Sequence, residues 1–313
     1  MLVSLGDSRG SRDSSSPVHR GGKRMWQCLK CGESVEDGFD TCSNCGAGAD
    51  ATVNPYAYQE PGEVAPGDNR VAVEVVDEGS NYWGPWATVG LSLAVASLYL
   101  IANTAVVVVM IIARGSLDAI DGVALENNGL LLSIASIVSA PFAIGPILLF
   151  VYLRRGASIR QYLALHPVAP RSLAFWLAAT GLLIVAGDAL THVMGRDIVP
   201  EFMYDVWRTA AWLPLLWVTL IVMAPLVEET FFRGFLFVGL RHSRIGDIGA
   251  ILITSAVWAA IHMQYDFYQI STIFVGGIVL GVARIRTNSL YVPMAMHSLM
   301  NVVATLEAAW VMR

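Results

Sequence analysis

The chain has 313 residues, a mean hydropathy of +0.56, and 55% hydrophobic against 14% charged side chains. That balance fits a membrane protein and excludes an ordinary soluble domain. The net charge of −5 comes largely from an acidic stretch between residues 47 and 82, so it gives no sign of a nucleic-acid partner.

Residues 1–24 are rich in Ser, Arg and Gly and lack an apolar h-region, so they do not read as a secretory signal. Met25 directly precedes Trp26-Gln27-Cys28, and residues 1–24 are expected to be a disordered extension or a mis-assigned start. Residues 25–46 hold all four cysteines of the chain, as Cys28-Leu-Lys-Cys31-Gly32 and Cys42-Ser-Asn-Cys45-Gly46. Each pair is a knuckle in which a turn aims two thiolates at one ion, and the glycine permits the positive φ such a turn requires. Four sulfurs close a tetrahedral, structural zinc site, which supplies the stability so short a module lacks. Two disulfides or a redox motif are the competing readings, but redox CxxC motifs come singly and beside a βαβ pattern. The module resembles the short zinc ribbons at the N-terminus of many prokaryotic membrane proteins and could recruit a protein partner. Residues 47–82 carry Pro55, Pro61 and Pro66 and many acids. They read as a disordered linker, because that composition cannot bury a core.

From residue 83 to 313 the composition changes. Apolar runs long enough to cross a hydrocarbon core about 30 Å thick recur near 87–113, 129–153, 172–194, 209–240, 246–264, 268–283 and 289–312. Solid apolar runs without alternation mean helices rather than a strand barrel. The expected fold is an all-α polytopic membrane protein of seven or eight transmembrane helices. The fourth run is too long for one straight span, so it must tilt, begin at the interface, or bend at Pro214 or Pro225. Loop charges alternate. Arg154, Arg155, Arg160 and Arg171, then Arg241 and Arg244, then Arg284 and Arg286 follow the even spans, while the intervening loops lean acidic. Zinc-bound thiols require a reducing compartment, and the basic loops fall on the same side. Both observations point to a multi-pass protein with a cytosolic N-terminus.

Inside the fourth run stand Glu228, Glu229 and Arg233. Three ionisable side chains at mid-membrane cost about 8–10 kcal/mol on insertion scales, so they must face a bundle interior or a water-filled cavity. Glu229 and Arg233 are four apart in the favourable acid-before-base order. Glu228 lies about a quarter-turn away, outside that pair, and is free to accept a proton as a general base must. Two histidines lie within or near the ends of apolar helices. His262 has Trp258 one turn before it, and His297 shares a helix face with Asn301. His262 could polarise an attacking water, and His297 and Asn301 could donate to an oxyanion. Asp188, beside Gly187, is a further intramembrane acid, with a site role and a helix-packing role both open.

Glu228-Glu229-x-x-x-Arg233, the aromatic-x-x-x-His pattern at 258–262 and His297-x-x-x-Asn301 follow in that order within residues 225–301. The arrangement resembles the CAAX-protease and bacteriocin-processing (CPBP, ABI-type) intramembrane proteases, a family that includes the prenyl-protein endopeptidases of eukaryotes. The resemblance covers residues from near 150 to near 305, with the motif core at 209–305. Tyr152-Leu-Arg-Arg-Gly156 is similar to the basic stretch that often precedes the core, and Trp258 stands where Phe is usual. It implies that Glu228 and His262 activate water and that His297 and Asn301 form the oxyanion hole. The family has been described both as metalloproteases and as glutamate-dependent proteases, and no HExxH occurs here, so a catalytic metal stays open.

The expected activity is an intramembrane endopeptidase acting on a membrane-associated polypeptide. The alternative is a catalytically silent membrane scaffold or chaperone of the same fold, recruiting partners through the ribbon. A transporter using the acids as proton sites is a third class. One conflict stands in the span boundaries. His297 lies roughly 12 Å from the cytosolic end of its span and His262 roughly 24 Å from the end of its own, at 1.5 Å per residue. They meet only if a helix is tilted, broken or begins elsewhere.

Overall fold

The computed structural model describes residues 25–27, 34–36, 81–114 and 127–313. Cys28, Cys31, Cys42 and Cys45, residues 1–24 and nearly all of the expected linker lie outside the described residues. The chain divides into two units, Met1–Val73 and Glu74–Arg313. In the first, strands β1 (Met25–Gln27) and β2 (Ser34–Glu36) pair antiparallel, with Trp26 opposite Val35.

The second unit is helical among its described residues. Its elements are α1 (Pro85–Arg114), α2 (Gly129–Leu153), α3 (Ile159–Tyr162), α4 (Pro170–Val193), α5 (Glu201–Thr209), α6 (Leu213–Arg241), α7 (Gly246–Ala260), α8 (Phe267–Thr287) and α9 (Tyr291–Val311). Local chemistry sets the ends. The Asn128 side chain caps α2 by accepting from the Leu131 amide at 3.0 Å. Pro170 starts α4 at a position where the missing N–H costs nothing. Asp266 and Gln269 form a reciprocal capping box on α8, and Asn288 ends that helix in the left-handed region at φ 44°.

Five of these helices, α1, α2, α4, α6 and α8, are long and apolar enough to cross a membrane. Their exposed surfaces are apolar: Leu182, Val185 and Val193 on α4 and Val109 and Ile112 on α1 lie outside, while Thr180 is the one buried residue of α4. Charge is found inside instead, with Glu229 and Arg233 at 0% exposure and Arg284 at 2%. Apolar residues outward and charges inward is the reverse of a water-soluble protein, and the chain is an integral membrane protein.

α6 is the axis of the unit. Its buried Phe235 and Phe237 pack in one core with Val95, Ile147, Leu280, Leu290 and Met296. Helix α1 runs along α2, α7 along α8, and α9 lies against α4, α8 and α6. Gly239 lets α1 approach α6, since a Cβ there would stand 1.9 Å from Thr88 Oγ1.

The expected fourth run, 209–240, is one helix, α6, which starts at Leu213 after the separate short helix α5. Pro214 sits harmlessly in the first turn of α6, whereas the segment around Pro225 is rewound. α6 changes from i→i+4 to i→i+5 hydrogen bonding over Thr219–Met223 and again over Thr230–Leu236. One assignment needs correction: Arg284, counted among the loop charges, is a buried residue in the last turn of α8, because that helix continues to Thr287.

Candidate active site

The acidic pair ends the short α-wound stretch Ala224–Glu229 between the two wide turns of α6. Glu229 and Arg233 meet at 2.9 Å between Oε1 and Nη1, both side chains fully buried. A second cation-capable group reaches the same oxygen, with His297 Nδ1 lying 2.9 Å from Glu229 Oε1. Glu229 therefore ties its own helix to α9, and the contact turns the other ring nitrogen of His297, Nε2, away from the pair. Arg233 has further contacts across the bundle. Its Nη2 donates to the Gly277 carbonyl of α8 at 3.2 Å, and its guanidinium lies 4.5 Å from the Trp258 ring centroid. Gly277 is required here, because a Cβ would stand 3.0 Å from Trp258 Cε3 and 2.9 Å from Ser255 Cβ.

Trp258 is the point where the motifs converge. Its indole N–H donates to Glu228 Oε2 at 2.5 Å, while its carbonyl lies 2.7 Å from His262 Nδ1. The His262 and His297 rings both stand edge-on to the indole, at 5.4 and 5.2 Å between centroids. Glu228 is half-buried, unlike Glu229, and so is His262, which stacks parallel to Tyr265 at 6.2 Å. Because His262 Nδ1 faces a carbonyl, it carries the proton, and Nε2 holds the lone pair. Asn301, half-buried one turn beyond His297, donates from Nδ2 to the Leu220 carbonyl of α6 at 2.6 Å. One amide proton is thereby used and one is left.

The structure thus gathers Glu228, Glu229, Arg233, His262 and His297 around one tryptophan, with Asn301 bridging α9 to α6. The two histidines meet despite the depth conflict, since both rings flank Trp258. Helix α7 is short, ending at Ala260, and His262 sits in the turn after it. Asp188 does not join this group. It lies on α4 in hydrogen-bonding contact with Glu307 of α9. Two contributors were not visible as such in the sequence. Trp258 shows itself only as an aromatic beside His262, though the presence of an N–H where Phe is usual was a usable signal. Gly277 gave no signal. Among the described residues no group of three His, Cys, Asp or Glu side chains is close enough to hold a metal ion.

Residues 210–303 match the family described as type II CAAX prenyl endopeptidase Rce1-like. The chain is also similar to an uncharacterized 24.3 kDa protein of Escherichia coli, at 37% identity over 125 residues. That match covers 39% of this chain and 52% of the other, so the chain spans about half the length of this relative. No solved structure matches. The family match covers α6 to α9, the helices that gather both glutamates, the arginine, both histidines and Asn301 in the order and placement described, and it supports the resemblance of this segment to the CPBP intramembrane proteases.

Proposed function

We propose that this protein is an intramembrane endopeptidase that hydrolyses peptide bonds of a membrane-associated polypeptide, with Glu228 and His262 activating the water. The observation that carries the reading is the division of labour between adjacent glutamates. Glu229 is fully buried and committed to Arg233 and His297, whereas Glu228 is half-buried with a single indole N–H on one oxygen. A general base must be reachable and uncommitted, and Glu228 meets both conditions.

Water held between Glu228 and the lone pair of His262 attacks the carbonyl carbon, and Glu228 takes its proton. The developing oxyanion is met by the second amide proton of Asn301 and by Nε2–H of His297 in its doubly protonated form, whose other N–H is held by Glu229. The tetrahedral intermediate collapses as the C–N bond breaks, and Glu228 returns the proton to the leaving amine. Arg233 and Glu229 do not touch the reacting atoms; they fix His297 and the indole.

The test is cleavage of a candidate membrane client by purified protein. Glu228→Gln keeps the shape and removes the proton-accepting oxygen, so the rate should fall by about 100-fold or more, the low end for loss of a general base. Insertion and melting temperature should stay normal. A Gln variant of near-wild-type rate would remove Glu228 from this role. Cys28, Cys31, Cys42 and Cys45 are proposed to bind one structural zinc ion on the cytosolic side and to recruit a partner, with no part in the chemistry.

A further inference from the structure

The two rewound turns of α6 each leave one backbone carbonyl unclaimed. In the second, the last i→i+5 bond runs from the Phe237 amide to the Phe232 carbonyl. Returning to α spacing passes over the next carbonyl, that of Arg233. In the first, the Ala224 amide bonds the Thr219 carbonyl, and the next residue, Pro225, has no N–H to offer Leu220. A carbonyl left bare in a dry bundle is costly, so each must find a donor elsewhere. Both do, and both donors are side chains of other helices. Asn301 of α9 takes the Leu220 carbonyl at 2.6 Å, and Arg284 Nε of α8 takes the Arg233 carbonyl at 3.2 Å.

Arg284 is the unexpected one. It is 2% exposed and makes no ion pair among the described residues. Its remaining contacts are Nη1 to Asn288 Oδ1 at 3.3 Å and the Phe237 ring at 5.9 Å. A buried guanidinium without a carboxylate is a heavy burden on the fold, and here its directed N–H is spent on the one carbonyl that the bulge releases.

We propose that Arg284 is a positioning residue for the protease site described above: it keeps the wide turn of α6 open by occupying the Arg233 carbonyl. Without it, that carbonyl can recover a partner by taking the Phe237 amide back at α spacing. The wide turn then closes by one residue, and the helix winds further. Everything on its N-terminal side swings by about 100° and moves about 1.5 Å along the axis relative to the rest. Glu228 could not then face the Trp258 N–H while Arg233 faces the Gly277 carbonyl. This role rests on the proteolytic reading only for its kinetic consequence, since the geometry it sets can be observed without activity.

The experiment uses the full chain in detergent, labelled with 5-fluorotryptophan. Trp258→Phe assigns the Trp258 fluorine resonance among those of nine tryptophans. Arg284→Met should displace that resonance and lower kcat on a quenched membrane peptide on the order of 10- to 100-fold, with KM unchanged. Arg284→Lys, which keeps one N–H donor for the carbonyl, should restore the resonance and most of kcat. Asn288→Gly removes the other partner of Arg284 while preserving the left-handed cap, and should change neither. A Met variant with a wild-type resonance and kcat overturns the proposal. If the Met variant does not fold, Lys decides: a folded Lys variant with the native resonance supports the role, and one with a displaced resonance and lost kcat overturns it. A wild type that cleaves nothing, with the fluorine shifts as expected, would sink the proteolytic reading and leave the positioning role standing.

Discussion

Arg233→Ala should be the most destabilising single change in the membrane unit, and its size follows from what the side chain holds. Arg233 and Glu229 are both fully buried and 2.9 Å apart, and Arg233 also donates to the Gly277 carbonyl and covers the Trp258 ring. Truncation leaves the Glu229 carboxylate in the bundle interior with His297 as its remaining contact. Removing one partner of a buried ion pair costs about 3–5 kcal/mol, because the other charge is stranded. Against a typical total of roughly 5–15 kcal/mol, that is a third of the stability or more. The stranded charge, rather than lost packing, is the cause, so removing both charges should help. Glu229→Gln combined with Arg233→Met keeps the volumes and should lie closer to wild type than Arg233→Ala by about 2 kcal/mol or more, as neutral replacements of buried pairs often do. Unfolding of the detergent-solubilised protein, followed by tryptophan fluorescence across a denaturant series, measures both variants. The reasoning fails if Arg233→Ala loses less than about 1 kcal/mol, since the pair would then be behaving as a solvated surface bridge. It also fails if the double variant is as unstable as the single one.

Trp258→Phe keeps the ring that faces Arg233 and both histidines but deletes the N–H on Glu228. A hydrogen bond to a charged group contributes about 1.5–3 kcal/mol, so kcat should fall by at least about tenfold while the fold survives; an unchanged rate would show that the carboxylate is held by something else. Gly239→Ala drives a methyl onto Thr88 Oγ1 between α6 and α1 and should destabilise by about 1–3 kcal/mol in the same unfolding assay. Gly187→Ala, whose Cβ would meet open space on α4, should be neutral or stabilise by up to about 1 kcal/mol. The two glycines behaving alike would contradict the α1–α6 packing. Elemental analysis should find about one zinc ion per chain, lost in Cys28→Ser; no zinc together with no titratable thiols would favour disulfides.

Long-range architecture was legible because hydropathy and length are properties of contiguous residues. The runs at 129–153 and 172–194 differ by two residues or fewer per end from α2 and α4. The Glu229–Arg233 contact was legible for the same reason, since a spacing of four within one helix fixes a distance. What the sequence hid lies between helices or in departures from regular winding. Nothing in residues 219–236 announces an i→i+5 turn except Pro225, and that proline fits an ordinary kink equally well. The attachment of His297 to Glu229 spans 68 positions and has no local signature. Arg284 was misread as a loop charge because its helix ends in two arginines separated by one residue, a pattern that serves a helix terminus facing polar headgroups just as well. Asn301 could be assigned to the site from its spacing to His297, but its bond to the Leu220 carbonyl depends on how α6 is wound.

The wide turn at residues 230–236 also bears on how such a molecule is made. While α6 enters the bilayer as an individual helix, Arg284 is not yet beside it, and the Arg233 carbonyl is best served by uninterrupted α winding. Only when α8 docks does a second donor arrive that makes the wider turn affordable. The reactive constellation is therefore a product of assembly and not a property of the inserted segment. On the proposed reading, a nascent chain holding every residue of the motif would keep its site unassembled until its late helices are in place.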